Sequence, residues 1–73
     1  MTLAEGNTGD RLKIVKLQAE QSLVQRLRAL GLGEGEHVEL VRVSRRRTVY
    51  FVRTAFSSAA LGAETARMIG VET

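Results

Sequence analysis

Apolar positions along the chain change period several times, and each change marks an element. Asn7, Thr8, Gly9 and Asp10 form a polar turn cluster, after which Leu12, Ile14 and Leu17 stand among Lys13 and Lys16 as an imperfectly alternating strand. From Ser22 the spacing becomes helical: Leu23, Leu27 and Leu30 recur with Val24 beside them, while Gln25, Arg26 and Arg28 fall on the opposite, solvated side. Ser22 followed three residues later by Gln25 is a capping-box pattern, which predicts Ser22 as the N-cap. Gly31 stands where a left-handed residue ends a helix and Leu32 where a Schellman ending returns an apolar side chain against Leu27, so the helix is predicted to stop at Leu30.

After the Gly33-Glu34-Gly35-Glu36 turn, residues 37–43 are rich in β-branched and apolar side chains and predict a strand, with Val38 and Leu40 on one face and Glu39, Val41 and Val43 on the other. The arginine-dense connection 44–47 leads to a second strand over 48–54, where Val49 and Phe51 alternate with Tyr50 and Val52 and Phe51 is assigned to the core. The two runs predict a hairpin. A short strand is expected over 58–61, then a brief helix over 63–69 with Ala66 and Ile69 inward, ended by Gly70, and Val71 in a closing strand. Several short strands with two small helices favour a compact β-barrel, because closure removes exposed sheet edges.

Length and composition narrow the class. A chain of 73 residues has room for one domain, residues 1–73, with one core and no deep cleft. With no cysteine there is neither a disulfide framework nor a cysteine-based metal site, so packing must hold the fold. No apolar run approaches the roughly 20 residues that span a bilayer, and the first ten residues lack the basic and apolar regions of a signal peptide, so a cytoplasmic location is expected. The net charge of +3 is unevenly spread: residues 41–73 carry six arginines against Glu64 and Glu72. Arginine's planar fork suits carboxylates and phosphates, which points to an anionic surface among the partners.

With these elements placed, the chain resembles the ferrous iron transport protein A (FeoA) family over nearly its whole length. The similarity centres on residues 25–41, QRLRALGLGEGEHVELV, with Thr2-Leu3, Gly9, Arg26-Leu27, Leu30-Gly31-Leu32, Gly35 and Val38 at the family's characteristic places. Ala60-Leu61 followed by Glu64, Ala66 and Ile69 is similar to the family's ending. Leu30 stands where a methionine is usual and Glu34 where a proline is common; Ser44-Arg45-Arg46-Arg47 is shorter and more basic than the loop of many relatives. The resemblance implies a mostly-β, SH3-like small barrel with one helix after the first strand and a short C-terminal helix. It implies a non-enzymatic cytoplasmic accessory of the ferrous iron transporter FeoB, acting on its GTP-binding part and meeting the membrane only through it. The same domain type occurs at the C-terminus of iron-dependent repressors, and a chain starting at Met1 without DNA-binding helices looks like the free-standing form.

Candidate chemistry is sparse. Gly31 to Gly35 is not a phosphate loop, since helix precedes strand and no Gly-Lys-Ser/Thr follows. His37 with Glu36 and Glu39 is the one metal-like group, a weak candidate for Fe(II) or another divalent ion because a lone histidine leaves such a site short of nitrogen and sulfur ligands. No nucleophile, base and orienting group can be assembled, so no catalysis is expected. Partner binding has two candidate places: Arg45, Arg46 and Arg47, with Arg42 and Arg53 nearby across the hairpin, and the helix end, where Leu30 and Leu32 form an apolar knob beside Arg26. Alternatives to the transport accessory are a small basic nucleic-acid-binding barrel, for which two or three aromatics are few, and a metal-sensing module.

Overall fold

The computed structural model describes all 73 residues. A 3-10 helix, Leu3–Glu5, opens the chain, followed by β1 (Arg11–Leu17), α1 (Gln21–Ala29), β2 (His37–Val43), β3 (Val49–Arg53), β4 (Ser58–Gly62), α2 (Ala63–Ala66) and β5 (Ile69–Glu72). The strands form one antiparallel sheet in the order β4-β3-β2-β1-β5. The architecture is mostly β with two short α-helices. Closure into a barrel is not reached, because β4 and β5 do not pair; α2 and the turn after it carry the chain from one edge to the other.

The imperfect alternation in β1 has a structural cause, and β2 repeats it. Register shifts between Ile14 and Lys16 against β5, and between Leu40 and Arg42 against β3. Each bulge places two consecutive residues, Val15-Lys16 and Val41-Arg42, outside, so that Leu17 and Val43 return to the inner face three residues after Ile14 and Leu40. Val43 therefore pairs with Tyr50 on the inner side, not with Glu39 on the outer one. The phase of β3 is also opposite to the assignment of Phe51 to the core: Tyr50 is 2% exposed and Phe51 38%. The tyrosine can be buried because its hydroxyl donates to the Ala4 carbonyl at 2.9 Å.

The core joins Leu12, Ile14, Val38, Leu40, Tyr50, Val52, Leu61, Ile69 and Val71 of the sheet to Leu3, Leu27, Leu32 and Ala66. Two boundaries differ from the sequence reading. The N-cap of α1 is Glu20, with no side-chain cap, so Ser22 lies within the first turn and Ser22 and Gln25 form no capping box. Near the C-terminus α2 ends at Ala66, and Ile69, expected in that helix, opens β5. Reciprocal support of that kind occurs instead at the start of the chain, where Glu5 Oε1 accepts the Thr2 N–H at 2.7 Å; this backbone donor holds the Glu5 carboxyl below its ordinary pKa.

The N-terminal residues lie along the outer side of β5. Thr2 bridges Gly70, and Val71 N–H donates to the Met1 carbonyl at 2.8 Å. On β4 the corresponding side has no such neighbour in the sheet.

Candidate partner-binding surface

The end of α1 is built as its sequence predicts. Leu32 N–H reaches the Leu27 carbonyl at 2.9 Å and Gly31 N–H the Arg28 carbonyl at 3.0 Å, the bond pair of a Schellman ending, with Gly31 at φ +84°. Leu32 is folded inward and 0% exposed, which removes it from the expected surface knob. Leu30 stays 38% exposed. Its carbonyl, left over at the helix end, accepts hydrogen bonds from the hydroxyls of Ser57 at 2.9 Å and Thr54 at 3.3 Å, tying α1 to the β3–β4 turn. That turn presents Phe56, 78% exposed and packed near Gly31. Arg26 is exposed on α1, and Arg28 pairs with Glu34 at 3.1 Å, which lowers the Glu34 pKa through the side-chain hydrogen bond.

The three arginines of the β2–β3 turn are not equivalent. Ser44 organises the turn: its hydroxyl accepts from the amides of Thr48 and Val49, both at 3.0 Å, and its carbonyl accepts from Arg47 N–H at 2.8 Å. Arg47 has φ +56°, a conformation that costs an ordinary residue about 1–2 kcal/mol. Its guanidinium donates to the carbonyls of Ala4 at 2.9 Å and Gly6 at 2.6 Å and lies 5.8 Å from the Tyr50 ring centroid. Arg47, though exposed, thus braces the turn against the 3-10 helix, while Arg45 and Arg46 are exposed and make neither a side-chain hydrogen bond nor an ion pair within the chain. Arg45 and Arg46 are separated from Leu30 and Phe56 by the five residues of β3, or about 17 Å of strand.

His37 and Glu39 are together on the outer face of the sheet, as the two-residue period requires, but in basic company. Arg11, Glu39 and Arg53 are opposite one another across β1, β2 and β3. Glu39 accepts from Arg53 at 2.8 Å, a bond that holds its carboxyl below the ordinary pKa, with Arg53 and Arg11 charges adding to the effect. No group of three His, Cys, Asp or Glu side chains comes together. Farther along this face Val41 and Phe51 are exposed, with the Arg42 guanidinium 5.7 Å from the Phe51 centroid.

Phe56 was not singled out by sequence reasoning. Its signal was a large aromatic isolated among Ala55, Ser57 and Ser58, where no period assigns it to a core face.

The model of the FeoA domain family matches residues 1–73. The chain belongs to the FeoA domain family. That membership associates it with ferrous iron transport, and solved structures agree on the fold. The solution structure of FeoA from Chlorobium tepidum superposes with a TM-score of 0.90 at 26% identity, over 99% of this chain and 69% of that one. Iron(II) transport protein A from Clostridium thermocellum gives 0.90 at 25% identity, over 100% of this chain and 45% of that one. The structure of ScaR with bound Cd2+ gives 0.86 at 19% identity, over 100% of this chain but 35% of that one, a likeness of fold. Comparison with curated protein sequences returns no match. The FeoA domain here has no helix long and apolar enough to cross a membrane.

Proposed function

We propose that the chain is a non-catalytic binding module of bacterial ferrous iron uptake that engages the cytoplasmic GTP-binding part of a FeoB transporter and modulates its activity. The observation that carries this reading is the FeoA domain match from the first residue to the last. The surface supports it by offering contacts of the kind that anchor interfaces: Leu30, exposed and apolar beside Arg26, and Phe56, exposed next to Gly31. Arg45 and Arg46, at the far end of β3, are a second cationic contact that speeds encounter with an acidic surface.

The test is a pull-down and calorimetric titration with the isolated cytoplasmic domain of FeoB, in the presence and absence of guanine nucleotide, with GTP hydrolysis followed in parallel. Binding that weakens on Phe56→Ala or Leu30→Ala and a changed hydrolysis rate are expected. No binding in any nucleotide state at low salt refutes the reading. Generic single-stranded RNA titrated under the same conditions separates it from the nucleic-acid alternative, for which affinity would fall steeply with salt.

A further inference from the structure

The two edges of the sheet are treated differently. Met1 and Thr2 cover β5, whereas nothing pairs with the outer side of β4. The β3–β4 register runs without a shift from Arg53 opposite Ser58 to Val49 opposite Gly62. It is flanked by Thr54 N–H donating to the Ser57 carbonyl and Ala63 N–H to that of Thr48. Hydrogen bonding alternates along an antiparallel pair, so Ala59 and Leu61 bond to β3 while Ser58 and Ala60 direct their backbone groups outward. Natural edge strands are blunted by charge, proline, shortness or cover. Ser58-Ala59-Ala60-Leu61-Gly62 carries neither charge nor proline.

Both faces beside this edge are apolar and rimmed by arginine. On the inner side a groove of about 230 Å³ separates β4 from α1, lined by Leu23, Leu27 and Leu30 and bordered by Arg26. On the outer side Ala60 is opposite Phe51, whose ring lies under Arg42. Arg26 and Arg42 make no ion pair. A strand laid against β4 would send alternate side chains into the groove and onto the Ala60–Phe51 surface, and its acidic groups would meet these two arginines.

We propose that the β4 edge accepts an extended segment of a protein partner as a sixth strand, apolar where it crosses the groove and the Ala60–Phe51 surface, with carboxylates at neighbouring positions on both faces toward Arg26 and Arg42. Charge argues against a second copy of the chain as occupant, since edge-to-edge pairing would oppose like rims on molecules of net charge +3. The inference rests on the FeoB-binding reading, to which it adds the mode of contact.

Two probes keep the two ideas apart: the isolated FeoB cytoplasmic domain, and a short synthetic peptide of central valines with two consecutive glutamates at each end, which places carboxylates on both faces of the added strand. Each is titrated into the isotope-labelled full chain while amide shifts and hydrogen exchange are followed. Protection of the Ala60 amide on binding is expected. Ala60→Pro removes an N–H that β3 does not use, so it should leave the fold intact and weaken binding about tenfold or more. Arg26→Glu should weaken the glutamate peptide about tenfold and favour its lysine counterpart, a reversal that loss of folding cannot mimic. FeoB binding with unprotected Ala60 and no effect of either variant overturns strand addition and leaves the functional reading standing. Peptide binding at β4 without FeoB binding supports the edge and removes FeoB as its ligand. Binding of neither probe overturns both.

Discussion

Replacing Gly31 by alanine tests the helix ending and its tie to the β3–β4 turn together, and Gly35→Ala supplies the control. Both glycines are left-handed, at φ +84° and +88°. A Cβ in that region costs about 1–2 kcal/mol through its approach to the following carbonyl, whatever surrounds it. At Gly35 that is the whole cost, since nothing lies within 4 Å of an added Cβ. At Gly31 the same atom would come 2.9 Å from Thr54 Oγ1 and 3.2 Å from Phe56 Cδ2. Thr54 Oγ1 cannot retreat freely, because it donates to the Leu30 carbonyl and receives the amides of Phe56 and Ser57 at 3.2 and 3.1 Å. Loss of one or two of these partly solvated bonds adds about 1–2 kcal/mol. Gly31→Ala should therefore cost about 2–4 kcal/mol and Gly35→Ala about 1–2 kcal/mol. The assay is urea unfolding of both variants and the parent, compared at equal slope, with thermal melting in parallel. For a domain this small each 1 kcal/mol of difference is worth about 4–8 °C in Tm. Equal losses in the two variants would refute the crowding against Thr54, and no loss in either would refute the left-handed ending itself.

Three further outcomes are expected. Ser22→Ala should change stability by less than about 0.5 kcal/mol in urea unfolding, because Ser22 caps nothing and alanine is the better helix former. Arg47→Ala should cost about 1–2 kcal/mol by the same assay, as the Gly6 carbonyl loses the Arg47 donor and the Ala4 carbonyl keeps only the Tyr50 hydroxyl, while Arg45→Ala and Arg46→Ala should be close to neutral. Glu39 is held below its ordinary pKa of 4.5 chiefly by the Arg53 hydrogen bond, so its contribution is complete above that pH and disappears as pH falls through the lower folded value. A urea midpoint measured from neutral pH downward should decline below about pH 4.5, and less steeply in Glu39→Gln.

The C-terminal end of α1 was legible because it is a local event: Gly31 and Leu32 satisfy the last carbonyls whatever the remaining chain does. Its beginning was not, since a serine three residues before a glutamine is equally at home inside a first turn, and packing of Val24 and Leu27 set the phase. The spacing of Leu12, Ile14 and Leu17 recorded the first bulge faithfully, yet the same three-residue step from Leu40 to Val43 was read as strict alternation. In β3 either face had apolar side chains to offer, and the decision for Tyr50 came from a distant acceptor, the Ala4 carbonyl, which no local pattern can reveal. Among the candidate site residues, Arg47 is tied to the distant Ala4 and Gly6 carbonyls by a contact of that non-local kind, Leu32 turned inward with the local helix ending, and Phe56 emerged because the turn needed Thr54 and Ser57 for the helix end. The unequal sheet edges depend on where Met1 and Thr2 lie, a question of topology.

The pairing of Met1 with Val71 also bears on how such a domain is carried. Both ends of the polypeptide leave the molecule at one place, 2.8 Å apart from amide to carbonyl at their last shared bond. A fold with adjacent entry and exit can be spliced into a longer protein, or appended to one, without threading a linker around the body. Superposition of the whole of this chain on 35% of ScaR shows the same fold as one part of a longer chain.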